Sequence, residues 1–163
     1  MTLEKELVGS GFAFGFDSSE LRALASLARE RTFEEGELMV MAGERSRAFY
    51  VLLSGTAAVE LQAAFFKVRI QSLLPGDAFG WSALLNEYDT LFQVRAEEHS
   101  TALSIDSASL ASLCDKHPAL GVKLLRRVLQ AVAGRIRGLE SSLAQFCGIQ
   151  SPDGRSDKAG AIS

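Results

Sequence analysis

The hydrophobic positions change their period twice along the chain, which divides it into a helical start, a β-rich middle and a helical end. Asp17 and Glu20 stand at the spacing of a helix-capping box, and Leu21, Leu24, Ala25, Leu27 and Ala28 follow as an apolar stripe at helical spacing. The pattern predicts a helix that starts at Asp17 and ends near Arg31. Residues 1–16, closing on Phe12-Ala13-Phe14-Gly15-Phe16, carry no clean period and are read as a lead-in whose rings pack on the body.

From Thr32 to Asp106 the period shortens to that of β-structure, in runs broken by Glu35-Gly36-Glu37, Ala42-Gly43-Glu44, Ser54-Gly55-Thr56 and Pro75-Gly76-Asp77. Strands are expected at Leu38 to Met41, Ala48 to Leu53, Ala57 to Gln62, Phe65 to Leu73, Leu91 to Ala96 and Thr101 to Ile105. Val59/Leu61 and Val68/Ile70 show the two-residue alternation directly. Strands joined by tight turns imply an antiparallel sandwich or barrel, and a short helix is expected within it at Trp81 to Asn86.

Helical spacing returns after Asp106, a good N-cap for Ser107 to Lys116, and Pro118 suits the first turn of a longer helix reaching about Phe146. In that helix Val122, Leu125, Leu129, Val132, Ile136, Leu139, Leu143 and Phe146 recur at alternating steps of three and four. Such a seam packs one helix along another, so a homodimer through it is expected; covering the β-layer of its own chain is the competing use. One domain then spans residues 17–146, with the β-region at 32–106 and the closing helices at 107–146. Residues 147–163, polar and glycine-containing, are expected to be disordered.

Composition narrows the function. At 163 residues, 47% hydrophobic and 23% charged, the chain suits a single globular core. A formal net charge of -3 offers no basic footprint for a nucleic-acid backbone. No run approaches the roughly 18–20 apolar residues of a membrane helix, and Met1-Thr2-Leu3-Glu4-Lys5-Glu6 does not open like a secretory leader, so a cytoplasmic protein is expected. Cys114 and Cys147 stand far apart and are read as reduced thiols. His99 and His117 fall in different segments, which leaves no metal site, and no nucleophile or P-loop motif suggests catalysis.

Leu74-Pro75-Gly76-Asp77-Ala78-Phe79-Gly80-Trp81-Ser82-Ala83-Leu84-Leu85, followed by Val94-Arg95-Ala96, resembles the phosphate-binding cassette of the cyclic-nucleotide-binding domain family. Phe49-Tyr50-Val51-Leu52-Leu53-Ser54-Gly55 is similar to a strand of that family, and Gly36, Gly43, Gly55, Gly76 and Gly80 fall where its turn glycines recur. The resemblance implies an eight-stranded antiparallel β-roll, mainly β, with a helix before it and a long helix after it. Gly80-Trp81-Ser82, with Gly121 and Arg126-Arg127, also resembles a bacterial subgroup of stand-alone relatives of the catabolite-activator and fumarate/nitrate regulators.

On this resemblance the family's glutamate, which takes the ribose hydroxyl, falls on Trp81, and its arginine, which pairs with the cyclic phosphate, falls on Thr90. Losing a charged hydrogen bond to phosphate costs about 1.5–3 kcal/mol, or about one to two decades of affinity. Tight binding of cAMP or cGMP is therefore not expected. Arg95 alternates with Phe92, Val94 and Ala96 and should face away from the pocket.

The pocket is expected to be lined by Phe79, Gly80, Trp81, Ser82, Ala83, Thr90 and Leu91, with an unidentified small molecule as ligand. The pairing surface is expected at Leu125, Leu129, Val132, Ile136, Leu139 and Leu143. Arg126, Arg127, Arg135 and Arg137 read as a solvated flank of that seam. The residues after Phe146 are too few for a DNA-reading helical domain, so no direct DNA contact is expected from this chain. Two readings remain: a regulatory sensor whose ligand shifts the long helix, and a scaffold whose pocket is empty or filled by Trp81.

Overall fold

The computed structural model describes residues 2–85 and 91–148. Two helices come first, α1 (Leu3–Gly9) and α2 (Ser18–Leu27). The strands are β1 (Ala28–Phe33), β2 (Leu38–Val40), β3 (Ala48–Ser54), β4 (Ala57–Gln62), β5 (Lys67–Leu73), β6 (Ala78–Phe79), β7 (Phe92–Ala96) and β8 (Ser100–Asp106). A 3₁₀ turn at Trp81–Leu84 follows β6, and α3 (Ser107–Lys116) and α4 (Pro118–Cys147) close the described chain.

Two four-stranded antiparallel sheets face each other, in the orders β1-β8-β3-β6 and β2-β7-β4-β5. This is the expected eight-stranded β-roll with flanking helices. β3 is buried along most of its length because each face meets a different core. Tyr50 and Leu52 point between the sheets with Phe33, Val59, Leu73, Phe79 and Val94. Phe49 and Val51 point the other way, under the helices, with Leu24, Leu103, Leu110, Leu120 and Leu124.

Several boundaries differ from the sequence reading. Residues 3–9 are helical although they carry no clear stripe, and the segment after them buries Phe12 in a stack with Phe16 at 5.7 Å. The helix capped at Asp17 stops at Leu27, not near Arg31. Pairing with β8 takes over at Ala28, whose buried side chain suits either element. The capping box itself is present, with Asp17 accepting from the Ser19 and Glu20 amides and Glu20 accepting from the Asp17 amide. β5 begins at Lys67, because Phe65 and Phe66 form the exposed tip of the β4–β5 hairpin. β6 is too short for alternation to announce it. The 3₁₀ turn starts where the short helix was expected, while Asn86 lies outside the described residues, as does the tail at 149–163.

α4 presents two different faces. Leu120, Gly121, Leu124, Val128, Ala131 and Arg135 lie against the body. Gly134 and Gly138 allow the helix to descend onto β5: a methyl group at Gly138 would overlap the Ile70 carbonyl, and one at Gly134 would meet the Gln71 amide nitrogen at 2.7 Å. The seam residues occupy the other side, with Leu125 60% and Leu129 67% exposed and Ile136, Leu143 and Phe146 also in solvent. Val132 and Leu139 are half-buried between the two faces. Covering the roll and presenting the seam are thus separate tasks of one helix.

Candidate functional site

Gly80 turns the chain out of β6 in the left-handed region, at φ 72°. A side chain there would be strained and would also meet the Ala48 carbonyl at 2.6 Å and the Tyr50 ring at 2.9 Å, so glycine is the residue that fits. Tyr50 in turn stacks on Phe79 with centroids 5.0 Å apart. The turn is fixed from beside it as well: the Ser46 amide donates to Ser82 Oγ at 3.3 Å and the Arg45 guanidinium to the Ala83 carbonyl at 3.2 Å.

The residues predicted for the pocket separate into layers. Gly80, Trp81 and Ser82 line a small cavity together with Val40, Phe92, Val94 and Arg135. Phe79 is fully buried between the sheets and Ala83 is buried behind the turn. The Ala83 amide is occupied, donating to the Gly80 carbonyl at 3.0 Å. Leu91 is exposed, and Thr90 lies outside the described residues.

Arg135 is the residue that sequence reasoning placed elsewhere. It is 8% exposed, not part of a solvated flank, and its guanidinium carbon lies 5.2 Å from the Trp81 ring centroid and 4.8 Å from that of Phe92. A guanidinium facing two aromatic rings is held by their quadrupoles, each desolvated contact contributing on the order of 1–2 kcal/mol. Trp81, itself 9% exposed, and Arg135 reduce the cavity to about 10 Å³, the space of a single water. The only sequence signal was register: Arg135 stands four residues after Ala131 and seven after Val128, on the inner stripe of α4.

Arg95 lies away from the cavity, paired on the outer side of β7. Its side chain turns away from Val94 and Ala96, as alternation predicts, to pair with Glu60 at 3.3 Å and donate to the Gly36 carbonyl at 2.7 Å. Burial pushes the Glu60 carboxyl up, but the hydrogen bonds from Gln93 and Arg95 outweigh it and hold the group below its ordinary value. His99 lies 3.3 Å from Glu34, and among the described residues no three His, Cys, Asp or Glu side chains gather to hold a metal. Among the same residues no helix is long and apolar enough to cross a membrane.

Comparison with known proteins agrees with this architecture. A putative cyclic nucleotide-binding protein from Geobacter metallireducens superposes with a TM-score of 0.69 at 24% identity, over 83% of this chain and 98% of that one. A cyclic nucleotide-binding domain from Methylobacillus flagellatus superposes at 0.74 with 19% identity, over 92% and 86%. In sequence, glutaminase 2 of Bradyrhizobium diazoefficiens is 29% identical over 74% of the chain, which spans only 19% of that protein's length. The family model described as the cyclic nucleotide-binding domain matches residues 30–117, more than half of the sequence. By its cassette, its two-sheet roll and this match, the chain belongs to the cyclic nucleotide-binding domain family.

Proposed function

We propose that this chain is a non-catalytic regulatory module that works through α4, with its nucleotide pocket closed by its own side chains. The observation that carries this reading is the Arg135 guanidinium against Trp81 and Phe92, which leaves about 10 Å³ where a ligand would sit. A nucleotide would have to expel Arg135, reopen the cavity and bind a cassette whose family glutamate position holds Trp81. Its affinity falls by the fraction of molecules that are open. Cyclic AMP and cyclic GMP are then poor ligands, and the scaffold reading gains over the sensor reading.

The output of such a module is the outward seam of α4, and the partner that fits is a second copy in a cytoplasmic homodimer. Leu125, Leu129, Ile136 and Leu143 expose apolar side chains at the three-and-four spacing that pairs helices. Since the inner stripe already covers the roll, the seam is left for another helix. The module requires no metal, and this chain makes no contact with DNA or membrane in this reading.

A second reading keeps the pocket as a sensor of another small molecule. The Gly80 turn supports it, because its left-handed backbone leads directly into the residues that line the cavity. A ligand that displaces Arg135 would loosen α4 and bias two arrangements of the pair. Sedimentation of the chain at tens of micromolar tests the pairing and the closed pocket. A dimer of unchanged mass with and without cyclic mononucleotides is expected. A monomer rejects pairing, and a dimer that forms only with nucleotide rejects the closed scaffold.

A further inference from the structure

We propose that the open edge of β1, with the guanidinium groups of Arg29, Arg31 and Arg47 beside it, docks an acidic, extended segment of a partner protein. This surface is separate from both the cassette and the α4 seam. Among the described residues β1 pairs only with β8 and ends its sheet. In an antiparallel edge strand alternate residues direct N–H and C=O groups away from the neighbour, and no described residue takes up those of Arg29 to Phe33. Arg29, Glu30, Arg31 and Thr32 are all exposed, between buried Ala28 and Phe33.

The side chains beside this edge select the partner. By alternation Arg29 and Arg31 share the face of Phe33, whose ring lies between the sheets. Arg29 stands in register with Ser104, and Ser104 with Tyr50, so that face continues into a groove of about 780 Å³ that Arg47 and Ser109 also line. Three arginines meet there in a chain of net charge -3, and none of them forms a salt bridge among the described residues. Two acids line the same groove and are outnumbered by the three arginines: Asp106, which caps α3 through the Ser109 amide and hydroxyl, and Glu30, which stands between Arg29 and Arg31 on β1.

A guanidinium fork matches a carboxylate in shape and charge, and an extended peptide presents side chains at the same two-residue period as β1. Charges on an edge strand commonly deter accidental pairing. Here they repel basic strands and attract acidic ones, so the deterrent is also a selector. Charge alone would accept any polyanion and an open edge alone any strand; their coincidence favours an acidic strand.

Amide NMR of the full chain tests this with three probes: a peptide alternating Glu with Val, the same peptide N-methylated at alternate residues, and inorganic tripolyphosphate. The unmodified peptide is expected to shift the amides of residues 28–33, with the N-methylated form and tripolyphosphate about tenfold or more weaker. Arg29→Glu with Arg31→Glu should weaken the unmodified peptide at least as much, with unchanged circular dichroism. If that double variant fails to fold, the comparison of the two peptides on the unaltered chain decides. Equal binding of tripolyphosphate or of the N-methylated peptide overturns the proposal, as do shifts confined to α4 or the cassette, or no binding at millimolar peptide.

Discussion

The guanidinium carbon of Arg135 stands 5.2 Å from the ring centroid of Trp81, which ties the middle of α4 to the turn after β6. Arg135→Ala removes the cation and uncovers the indole. A stability loss of about 1–2 kcal/mol is expected by denaturant melting. Trp81 is the only tryptophan, so its quenching by acrylamide reports the opening directly. Quenching should rise in Arg135→Ala and rise less in Arg135→Lys, which keeps the charge. Equal quenching in all three proteins would show that Arg135 does not cover the ring.

Gly138 sets the height of α4 above β5. Gly138→Ala forces a methyl group onto the Ile70 carbonyl, a backbone atom that cannot swing aside, and should destabilise the chain by about 1–3 kcal/mol. Gly134→Ala meets only the end of the Gln71 side chain and should cost less. Because Gly138 lies one turn after Arg135, the lifted helix should also raise Trp81 quenching. A Gly138→Ala protein as stable as Gly134→Ala would contradict the close contact.

Substitutions in the seam separate the proposed pairing from folding. Leu125→Glu with Leu129→Glu places two charges at positions that are 60% and 67% exposed in the single chain. Sedimentation should show a monomer, while the Trp81 emission maximum stays where it was. Loss of the fold would mean that these side chains pack inside the chain.

Acid sensitivity should arise partly at two helix starts. The Glu20 amide, followed by the Ser19 hydroxyl, holds the Asp17 carboxyl below its ordinary value, and the Ser109 amide and hydroxyl do the same for Asp106. A carboxyl depressed on folding contributes stability that is present above about pH 4 and is lost as pH falls through the folded value. Asp17→Asn with Asp106→Asn keeps capping oxygens but removes the titration. Its stability should therefore fall less steeply than that of the unaltered chain between about pH 5 and pH 3. Parallel slopes would place the acid response elsewhere.

The fold was legible where one period ran long enough. β4 and α3 match their sequence spans, and the capping box at Asp17 marked a helix start to the residue. β1 was missed because Ala28 closes a helical stripe as readily as it opens a strand, and pairing with β8 decided between them. β6 offered two residues, too few for any period. The cassette was legible as a string of residues, but its contents were not. The arginine that lines the cavity beside Trp81 arrives from α4, and a helical arginine beside other arginines looks like a solvated flank until the two glycines near it bring the helix down. The spacing of the seam was legible in the sequence, whereas its exposure and its separation from the covering stripe required the packed helix.

The proposed closure of the pocket is tested most directly by calorimetric titration of cyclic AMP into the unaltered chain, with the protein at tens of micromolar. The expected result is no binding heat up to millimolar nucleotide. Saturable binding with a micromolar dissociation constant would contradict it, because an affinity of about -8 kcal/mol is not reached by a ligand that has no room between Trp81 and Arg135.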